Sequence, residues 1–282
     1  MSVLNVEVKR TLEDIIDVAY GEEPFENLKN YKRFWLEIIP KECKSLSGKY
    51  VYANRKSKIE IFNLSQESKA IVKCCIHELA HHIDHCKNGT SGHQEPFYNE
   101  YKTLLYAALN MHILVPEDIE KDEWSSDRNK VKKLVDEWTP AYIPYKQDLF
   151  RVNVTNGFPH KTALKENGYH WDTLQSVWTK EVPSADVEAE TEFLSSLPCE
   201  FTTSNAADLN IAAYGFIVIK GNTYSYKDEL KEQGFFFDKR SKNKQWKKKV
   251  KMSEAKQLLQ DLSESPALQG ATFQIESAPR RK

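Results

Sequence analysis

The stretch Ile76-His-Glu-Leu-Ala-His-His-Ile-Asp-His-Cys-Lys-Asn-Gly-Thr-Ser-Gly-His-Gln-Glu-Pro-Phe97 contains an H-E-x-x-H motif at residues 77–81. Residues four apart on a helix share one face. His77 and His81 can therefore hold one zinc ion, with Glu78 beside them as a general base. The motif is short enough to occur by chance, so the flanking sequence decides whether it marks a metal site.

The segment from Ser65 to Cys86 contains no Pro or Gly and predicts a helix with Ser65 as its N-cap. At about 100° per residue, four apolar side chains form one stripe. They are Val72, Ile76, Leu79 and Ile83. The two imidazoles lie roughly opposite this stripe, as expected of a helix that buries one side and offers ligands on the other.

A catalytic zinc ion usually takes three protein ligands and a water. After the predicted helix the chain turns at residues 88–89 and 91–92, and His93 follows directly. A returning chain would bring His93 to the ion, which makes it the first candidate for the third ligand. Glu100, deeper in a second predicted helix at 95–111, is the competing candidate. Asp84 is a candidate hydrogen-bond partner for a ligating histidine.

The H-E-L-A-H motif followed by Gly92-His93-Gln94-Glu95-Pro96-Phe97 resembles the SprT-like zinc metalloproteases over residues 1–115. The third ligand of that family lies in an H-G-x-x-F/W element, which His93 and Phe97 match, whereas Gln94 replaces the usual Gly. The resemblance implies a zincin-like domain, a zinc cofactor and hydrolysis of peptide bonds. It also implies protein substrates that are bound or crosslinked to DNA.

A second likeness is to the ImmA/IrrE-like zincins, in which a Glu completes the metal site. Glu100, followed by Tyr106-Ala-Ala108 and Val115-Pro116, is similar to that pattern. A third possibility belongs to another functional class. In it the chain is a zincin-shaped antirestriction or regulatory DNA-binding protein of a mobile element, without protease activity.

Two alternating stretches before the metal helix, Lys49–Asn54 and Lys58–Leu64, predict a β-hairpin with its turn at Asn54–Ser57. The second of these strands leads into the metal helix. An extended peptide substrate could pair with a strand near the metal through main-chain hydrogen bonds, and we expect the cleft to run along residues 58–64. Val3–Tyr20 predicts an amphipathic helix, and Phe34–Ile39 fits either a buried strand or the end of a helix.

The C-terminal half repeats one pattern. Lys161–Asp172 aligns with Lys227–Asp238, and Phe150–Val154 aligns with Phe216–Lys220. Each copy predicts a strand, a short helix, a strand ending in Asp, a strand with Trp, and a helix. We name residues 148–200 module 1 and residues 211–265 module 2. The pattern resembles a small module that is often duplicated in, or appended to, DNA-processing and mobile-element proteins.

The predicted fold class is therefore α+β. A zincin-like metalloprotease domain at residues 1–140, with a small antiparallel sheet and the H-E-x-x-H helix, is followed by the two modules. Residues 266–282 are expected to be a flexible tail. Trp178 and Trp246 occupy equivalent places in the two modules, and we predict that both are core residues.

A basic cluster in module 2 predicts contact with nucleic acid, because lysines interleaved with aromatic residues can follow a phosphate backbone and stack bases. DNA is the expected partner, single- or double-stranded. The alternative is a solvated hairpin whose charges only confer solubility. The cluster comprises Lys239, Arg240, Lys242, Lys244, Lys247, Lys248 and Lys249.

The composition of the 282-residue chain fits a globular protein, with 40% hydrophobic and 29% charged residues. A net charge of -1 gives no overall field that would select nucleic acid or membrane. The sequence has no apolar run of membrane-spanning length and no recognisable signal peptide, so no membrane partner is expected. The five cysteines form no C-x-x-C pair, and we expect reduced thiols in the cytoplasm.

Overall fold

The computed structural model describes residues 2–43, 45–120, 128–211, 213–221, 223–239 and 244–277. Over these residues the chain is α+β, with ten α-helices and three small sheets. The helices of the N-terminal domain are α1 (Val3–Tyr20), α2 (Phe25–Tyr31), α3 (Ser68–Asn88), α4 (Glu95–Asn110), α5 (Pro116–Glu120) and α6 (Arg128–Asp136). Its strands are β1 (Phe34–Ile38), β2 (Gly48–Ala53) and β3 (Lys56–Ile61).

The N-terminal sheet has the order β1-β3-β2. The pair β2–β3 is the predicted antiparallel hairpin, but β1 runs parallel to β3, so the sheet is mixed and not wholly antiparallel as expected. The hairpin turn is also shorter than predicted. Asn54 and Arg55 both have positive φ, 51° and 57°, as a two-residue turn between twisted strands requires.

Helix α3 carries the H-E-x-x-H motif. It begins at Ser68, and Glu67 is its N-cap residue, so the predicted cap at Ser65 is wrong. The hydroxyl of Ser65 instead donates to the carboxylate of Glu42 at 2.9 Å. The helix ends at Asn88, and Gly89 follows with a φ of 76°, a left-handed conformation that glycine adopts without a steric cost. Its predicted apolar stripe is confirmed, since the four side chains are each at most 1% exposed.

The two modules have the same strand order. Module 1 contains β4 (Leu149–Thr155), α7 (Lys161–Glu166), β5 (His170–Asp172), β6 (Val177–Pro183), α8 (Val187–Ser195) and β7 (Glu200–Asn205). Module 2 contains β8 (Tyr214–Lys220), α9 (Lys227–Glu232), β9 (Phe236–Asp238), β10 (Gln245–Lys251), α10 (Met252–Glu264) and β11 (Thr272–Ser277). Short 3-10 helices lie at Phe158–His160, Ser184–Asp186, Tyr224–Tyr226 and Pro266–Leu268. The sheets run β5-β6-β4-β7 and β9-β10-β8-β11.

Each module sheet ends in a strand that the sequence pattern did not predict. Strand β7 pairs with β4, and β11 pairs with β8. Strand β11 lies in the segment that was expected to be a flexible tail, whereas residues 278–282 of that segment lie outside the described residues. The predicted burial of the two tryptophans is confirmed, since Trp178 is 4% and Trp246 is 6% exposed.

The sequence alignment of β4 with β8 is wrong by one residue, because it pairs Val152 with Val218. Val152 lies opposite Lys180, and Ile217 lies opposite Lys248. Since Lys180 and Lys248 each follow the module tryptophan by two residues, Val152 matches Ile217. The physical reason is that both side chains point into a module core, and a shift of one residue would reverse the faces of the strand.

The modules pack on the N-terminal domain. The carboxylate of Asp172 accepts from the backbone N–H of Leu4 at 2.5 Å, and Arg151 forms an ion pair with Glu7 at 3.3 Å. Leu209 and Ile211, which precede β8, are 4% and 2% exposed and belong to the core of the N-terminal domain. The N-terminal core therefore includes side chains from beyond residue 140.

In the part of the chain that the structure describes, no helix combines the length and the apolar composition that a bilayer crossing needs. All five cysteines are free thiols.

Candidate metal centre

Three imidazole rings converge between α3 and α4. His77 and His81 lie one turn apart on α3, and His93 lies in the loop before α4. The Nε2 atom of His93 is 3.1 Å from Nε2 of His77 and 3.1 Å from Nε2 of His81. In a tetrahedral centre with bonds of about 2.1 Å, neighbouring ligand atoms are about 3.4 Å apart. The three nitrogens are thus spaced as ligands of a single ion.

The donor set fits zinc. Among the described residues, one group of His, Cys or carboxylate ligand atoms lies close enough to share an ion, and it consists of these three histidines. His93 is exposed, whereas the other two rings are half-buried, so the group is accessible from one side. Three nitrogen ligands with an accessible side are typical of catalytic zinc sites, while structural sites are closed by a fourth protein ligand.

The second nitrogen of His81 is held by a residue that the sequence did not single out. Its Nδ1 lies 2.9 Å from Oγ of Ser91, in the loop between α3 and α4. A partner at this nitrogen fixes the orientation and the tautomer of a ligating imidazole. The structure places Ser91 in this role, whereas the carboxylate of Asp84, the predicted partner, is buried and accepts from the side chain of Asn88 at 2.8 Å.

Phe97, the first buried aromatic residue of α4, packs behind the three histidines. Its ring stacks on His81 at 4.2 Å between centroids and meets His77 and His93 edge-on at 4.9 and 5.0 Å. Tyr101, one turn further along α4, is also buried and packs on His77 at 5.3 Å. Phe97 and Tyr101 therefore limit the rotation of the imidazoles on their buried side.

Glu78 lies at the interface of α3 with β2. It is 7% exposed, and burial raises the pKa of its carboxyl to about 7, opposed in part by a hydrogen bond from the backbone of Tyr50. Gly48 makes the close approach of β2 possible. A Cβ there would lie 2.8 Å from both Cγ and Oε1 of Glu78 and 2.7 Å from Sγ of Cys74. The sequence gives no signal for this role, because it depends on a contact between distant segments.

The strand that borders the metal site is β2, not the predicted segment 58–64. Strand β3 is the central strand and already pairs on both sides, so it cannot accept a substrate strand. Phe62 N–H donates to the carbonyl of Ser47 at 2.7 Å. Because hydrogen-bonded and non-hydrogen-bonded pairs alternate in an antiparallel ladder, the backbone groups of Gly48, Tyr50 and Tyr52 point away from β3.

The side chains of β2 that face α3 pack near its histidines. Tyr50 lies parallel to His81 at 6.5 Å between ring centroids, and the half-exposed Tyr52 lies 4.1 Å from His85. The histidine rings therefore lie beside the outward backbone of β2, where Tyr50 N–H already bonds Glu78.

Glu100, the competing ligand, lies in a separate polar cluster. Its Oε2 accepts from the hydroxyl of Tyr20 at 2.6 Å and from Nζ of Lys87 at 3.1 Å. Lys87 also pairs with Glu23 at 3.2 Å. These contacts tie α4 to α1 and α3, and they occupy the carboxylate that the second family likeness would require at the metal.

The predicted basic cluster of module 2 is divided between two faces. Side chains alternate along β10, so Lys247 and Lys249 point to one face and Lys248 to the other. Lys247 forms ion pairs with Asp238 at 3.3 Å and Glu276 at 3.4 Å. Because two carboxylates neutralise its charge, Lys247 would bind a phosphate more weakly than Lys248 or Lys249.

Two further lysines of the cluster, Lys239 and Lys244, are exposed at the two ends of the segment between β9 and β10. Arg240 and Lys242 lie outside the described residues.

In comparisons with known proteins, no family model, no curated protein and no solved structure matches the chain.

Proposed function

We propose that the chain is a zinc-dependent peptidase of the SprT-like type, acting in the cytoplasm on proteins associated with DNA. The observation that carries this proposal is the convergence of three histidine Nε2 atoms, two of them on the helix that carries the buried Glu78, close to the edge strand β2. The resemblance of the sequence motif supports the family and the substrate class. His77, His81 and His93 would hold the ion.

When bound in such a site, zinc supplies a Lewis acid and lowers the pKa of coordinated water towards neutrality. Glu78 takes the proton of the attacking water and passes it to the leaving amine. The raised pKa of its buried carboxyl suits both steps, since the group can accept and release a proton near neutral pH. The outward backbone of β2 would orient the peptide by main-chain hydrogen bonds, which requires no particular substrate sequence.

Two observations favour this function over the alternatives. An accessible triad next to an unpaired strand edge is needed by a peptidase and not by a DNA-binding protein with a structural metal. The hydrogen bonds of Glu100 to Tyr20 and Lys87 favour His93 as the third ligand. A third histidine ligand fits the SprT-like family better than the ImmA/IrrE-like family.

DNA recruitment is assigned to module 2. Lys239 and Lys244 are exposed at the two ends of the segment between β9 and β10, and Lys249 is exposed further along β10. Their charges favour a phosphate backbone. Module 1 instead packs on α1 through Arg151 and Asp172, which assigns it a structural role.

The test is digestion of a DNA-binding protein by the full chain, with and without DNA, after metal analysis. We expect one zinc per chain and cleavage that DNA accelerates. Glu78→Gln should keep the zinc but lose cleavage, since an amide cannot accept the proton. If zinc-loaded parent chain and Glu78→Gln both leave every DNA-bound protein intact, the peptidase proposal fails and the binding-protein alternative replaces it.

A further inference from the structure

One face of the module 2 sheet is turned away from the module core. Ile217, Ile219 and Trp246 point towards α10 and belong to that core. Because side chains alternate along a strand, the neighbours of these residues lie on the opposite face. We call the surface formed by Phe216, Phe236, Lys247 and Lys249 the outer face of module 2.

The four side chains of the outer face are adjacent. Lys249 lies directly opposite Phe216 on β8, and Lys247 lies directly opposite Phe236 on β9. The two phenylalanine rings are 6.3 Å apart and nearly perpendicular, and Nζ of Lys247 lies 5.9 Å from the centre of the Phe216 ring. Phe236 is 51% exposed. Phe216 is half-buried. One exposed and one half-buried ring, each opposite a lysine, make this surface unlike an ordinary solvated face.

The same face of module 1 has a different composition and a different use. Arg151 lies opposite Glu181 there, at the places that Phe216 and Lys249 occupy in module 2. Arg151 is 4% exposed and forms ion pairs with Glu181, at 3.0 Å, and with Glu7 of α1, at 3.3 Å. Module 1 therefore uses this face to dock on the N-terminal domain. In module 2 the docking pair is replaced by an aromatic ring and a lysine.

The charge of the outer face favours an anionic partner. Its acidic residues, Asp238 and Glu276, both pair with Lys247. Lys249 is exposed on the same strand as Lys247, and Lys239 and Lys244 are exposed at the two ends of the segment between β9 and β10. The charge of Lys247 is thus neutralised within the protein, whereas the exposed lysines can contact an anion from solution.

We propose that the outer face of module 2 binds single-stranded nucleic acid, with bases stacked on Phe216 and Phe236 and phosphates on Lys249, Lys239 and Lys244. The proposal rests on the proposed recruitment by module 2 and names its contact surface and its strand class. An aromatic ring can stack on any base, so the contact needs no sequence preference. In a duplex the base faces are covered by their neighbours, so the exposed Phe236 ring, with the half-buried Phe216 ring beside it, favours unpaired strands.

The test measures binding of the full chain to labelled oligothymidine of about 12 nucleotides, a length within the range of one such surface. The same-length oligouridine and DNA duplex are measured in parallel by fluorescence anisotropy. We expect tighter binding to the single strands than to the duplex. Phe236→Ser should weaken single-strand binding by about 5- to 100-fold, as expected for one lost stacking contact, and should change duplex binding little.

Controls separate stacking from folding. Phe236→Tyr keeps a ring and should retain affinity, and Phe25→Ser removes a phenylalanine that is 75% exposed in the N-terminal domain and should have no effect. Unchanged thermal melting of Phe236→Ser shows that the sheet is intact. If melting falls, Phe236→His places the module 1 counterpart, His170, at this position and keeps a planar side chain.

The outcomes distinguish the two proposals. Equal affinity for single strands and duplex, unaffected by Phe236→Ser, overturns the single-strand inference and leaves recruitment to DNA standing. Absence of binding to all three nucleic acids overturns the inference together with recruitment. Peptide cleavage is measured separately, in the absence of nucleic acid, so the peptidase proposal does not depend on either result.

Discussion

Ser91 contacts the nitrogen of His81 that faces away from the proposed metal, at 2.9 Å. Loss of such a partner typically lowers metal affinity by about 10- to 100-fold, because the imidazole gains freedom to rotate. We expect this loss for Ser91→Ala, measured as zinc affinity by competition with a chelator. Thr90→Ala, which changes the exposed neighbouring residue of the same loop, is the control and should bind zinc as the parent chain does.

The third ligand is tested by a pair of substitutions. His93→Ala should reduce bound zinc to well below one ion per chain, since two nitrogen ligands hold the ion poorly. Glu100→Gln should leave the zinc content at one, because Glu100 bonds Tyr20 and Lys87. Metal content is measured after dialysis. The reverse pattern would move the protein to the second zincin family.

Gly48 is tested by adding one methyl group. In Gly48→Ala the Cβ would meet Glu78 at 2.8 Å, so the carboxylate must shift. A displacement of this order in a catalytic group lowers the rate by about 100-fold. We expect cleavage to fall while zinc content is kept. Gly92→Ala provides the matched control, because a Cβ there meets nothing within 4 Å. Equal cleavage rates for both variants would show that Gly48 is not needed to position Glu78.

At the residue scale, the sequence predicts the histidine cluster mainly through the spacing of nearby residues. The i, i+4 spacing of His77 and His81 fixes their relative position through helix geometry alone, and the turn before His93 brings its ring back to them. Ser91 and Gly48 could not be found this way. Their roles depend on a loop conformation and on the approach of a strand from another segment, neither of which has a sequence period.

At the scale of elements, β2 is the edge strand beside the three histidines. The N–H of Tyr52 points outward from the sheet, so Tyr52→Pro removes a donor for substrate without removing a hydrogen bond to β3. We expect the apparent KM for a peptide to rise severalfold while the fold is retained. Tyr52→Ala keeps the N–H and separates this effect from loss of the packing on His85.

A contrary result for this pair is easy to recognise. If Tyr52→Ala and Tyr52→Pro raise KM equally, the side chain and not the backbone of β2 contacts the peptide.

The hairpin and the metal helix were predictable as elements, but their arrangement was not. Alternating residues predict both strands of the hairpin, yet the order β1-β3-β2 puts the later strand in the centre. Which strand has a free edge depends on where β1 pairs, and that pairing joins distant segments. Strand β11 is a different case. Phe273 and Ile275 alternate with polar residues, a signal that was present in the sequence.

At the scale of the whole molecule, module 1 is joined to the N-terminal domain by a buried carboxylate. Asp172 is 0% exposed and accepts from the backbone N–H groups of Leu4, Leu174 and Gln175. Asp172→Ala leaves these donors without their acceptor, and we expect the free energy of unfolding to fall by about 1–3 kcal/mol. Urea unfolding monitored by tryptophan fluorescence measures the change.

The control for this prediction is Asp208→Ala. The Asp208 side chain is 67% exposed and pairs with Lys69 at 3.7 Å, so its loss should cost less than about 1 kcal/mol. Equal losses for the two variants would mean that Asp172 contributes no more than a surface ion pair.

The domain order could be predicted from repeats and breakers, but not the dependence of one unit on another. Ile211 belongs to the core of the N-terminal domain, and its backbone N–H donates to Oγ of Ser68 at the start of α3, at 3.0 Å. A chain ending near residue 208 would therefore lose part of the support of the metal helix. Contacts of this kind join residues far apart in sequence, which composition and periodicity do not reveal.

The open edge of β2 also affects how the protein behaves at high concentration. An unpaired strand edge can pair with the same edge of a second copy, and such a dimer would cover both clefts. Strand β2 is six residues long and carries the exposed Lys49, features that oppose this pairing by limiting its length and placing like charges together. Because these features weaken the pairing without abolishing it, specific activity should fall only at high protein concentration, where a second copy would cover the β2 edge in place of substrate.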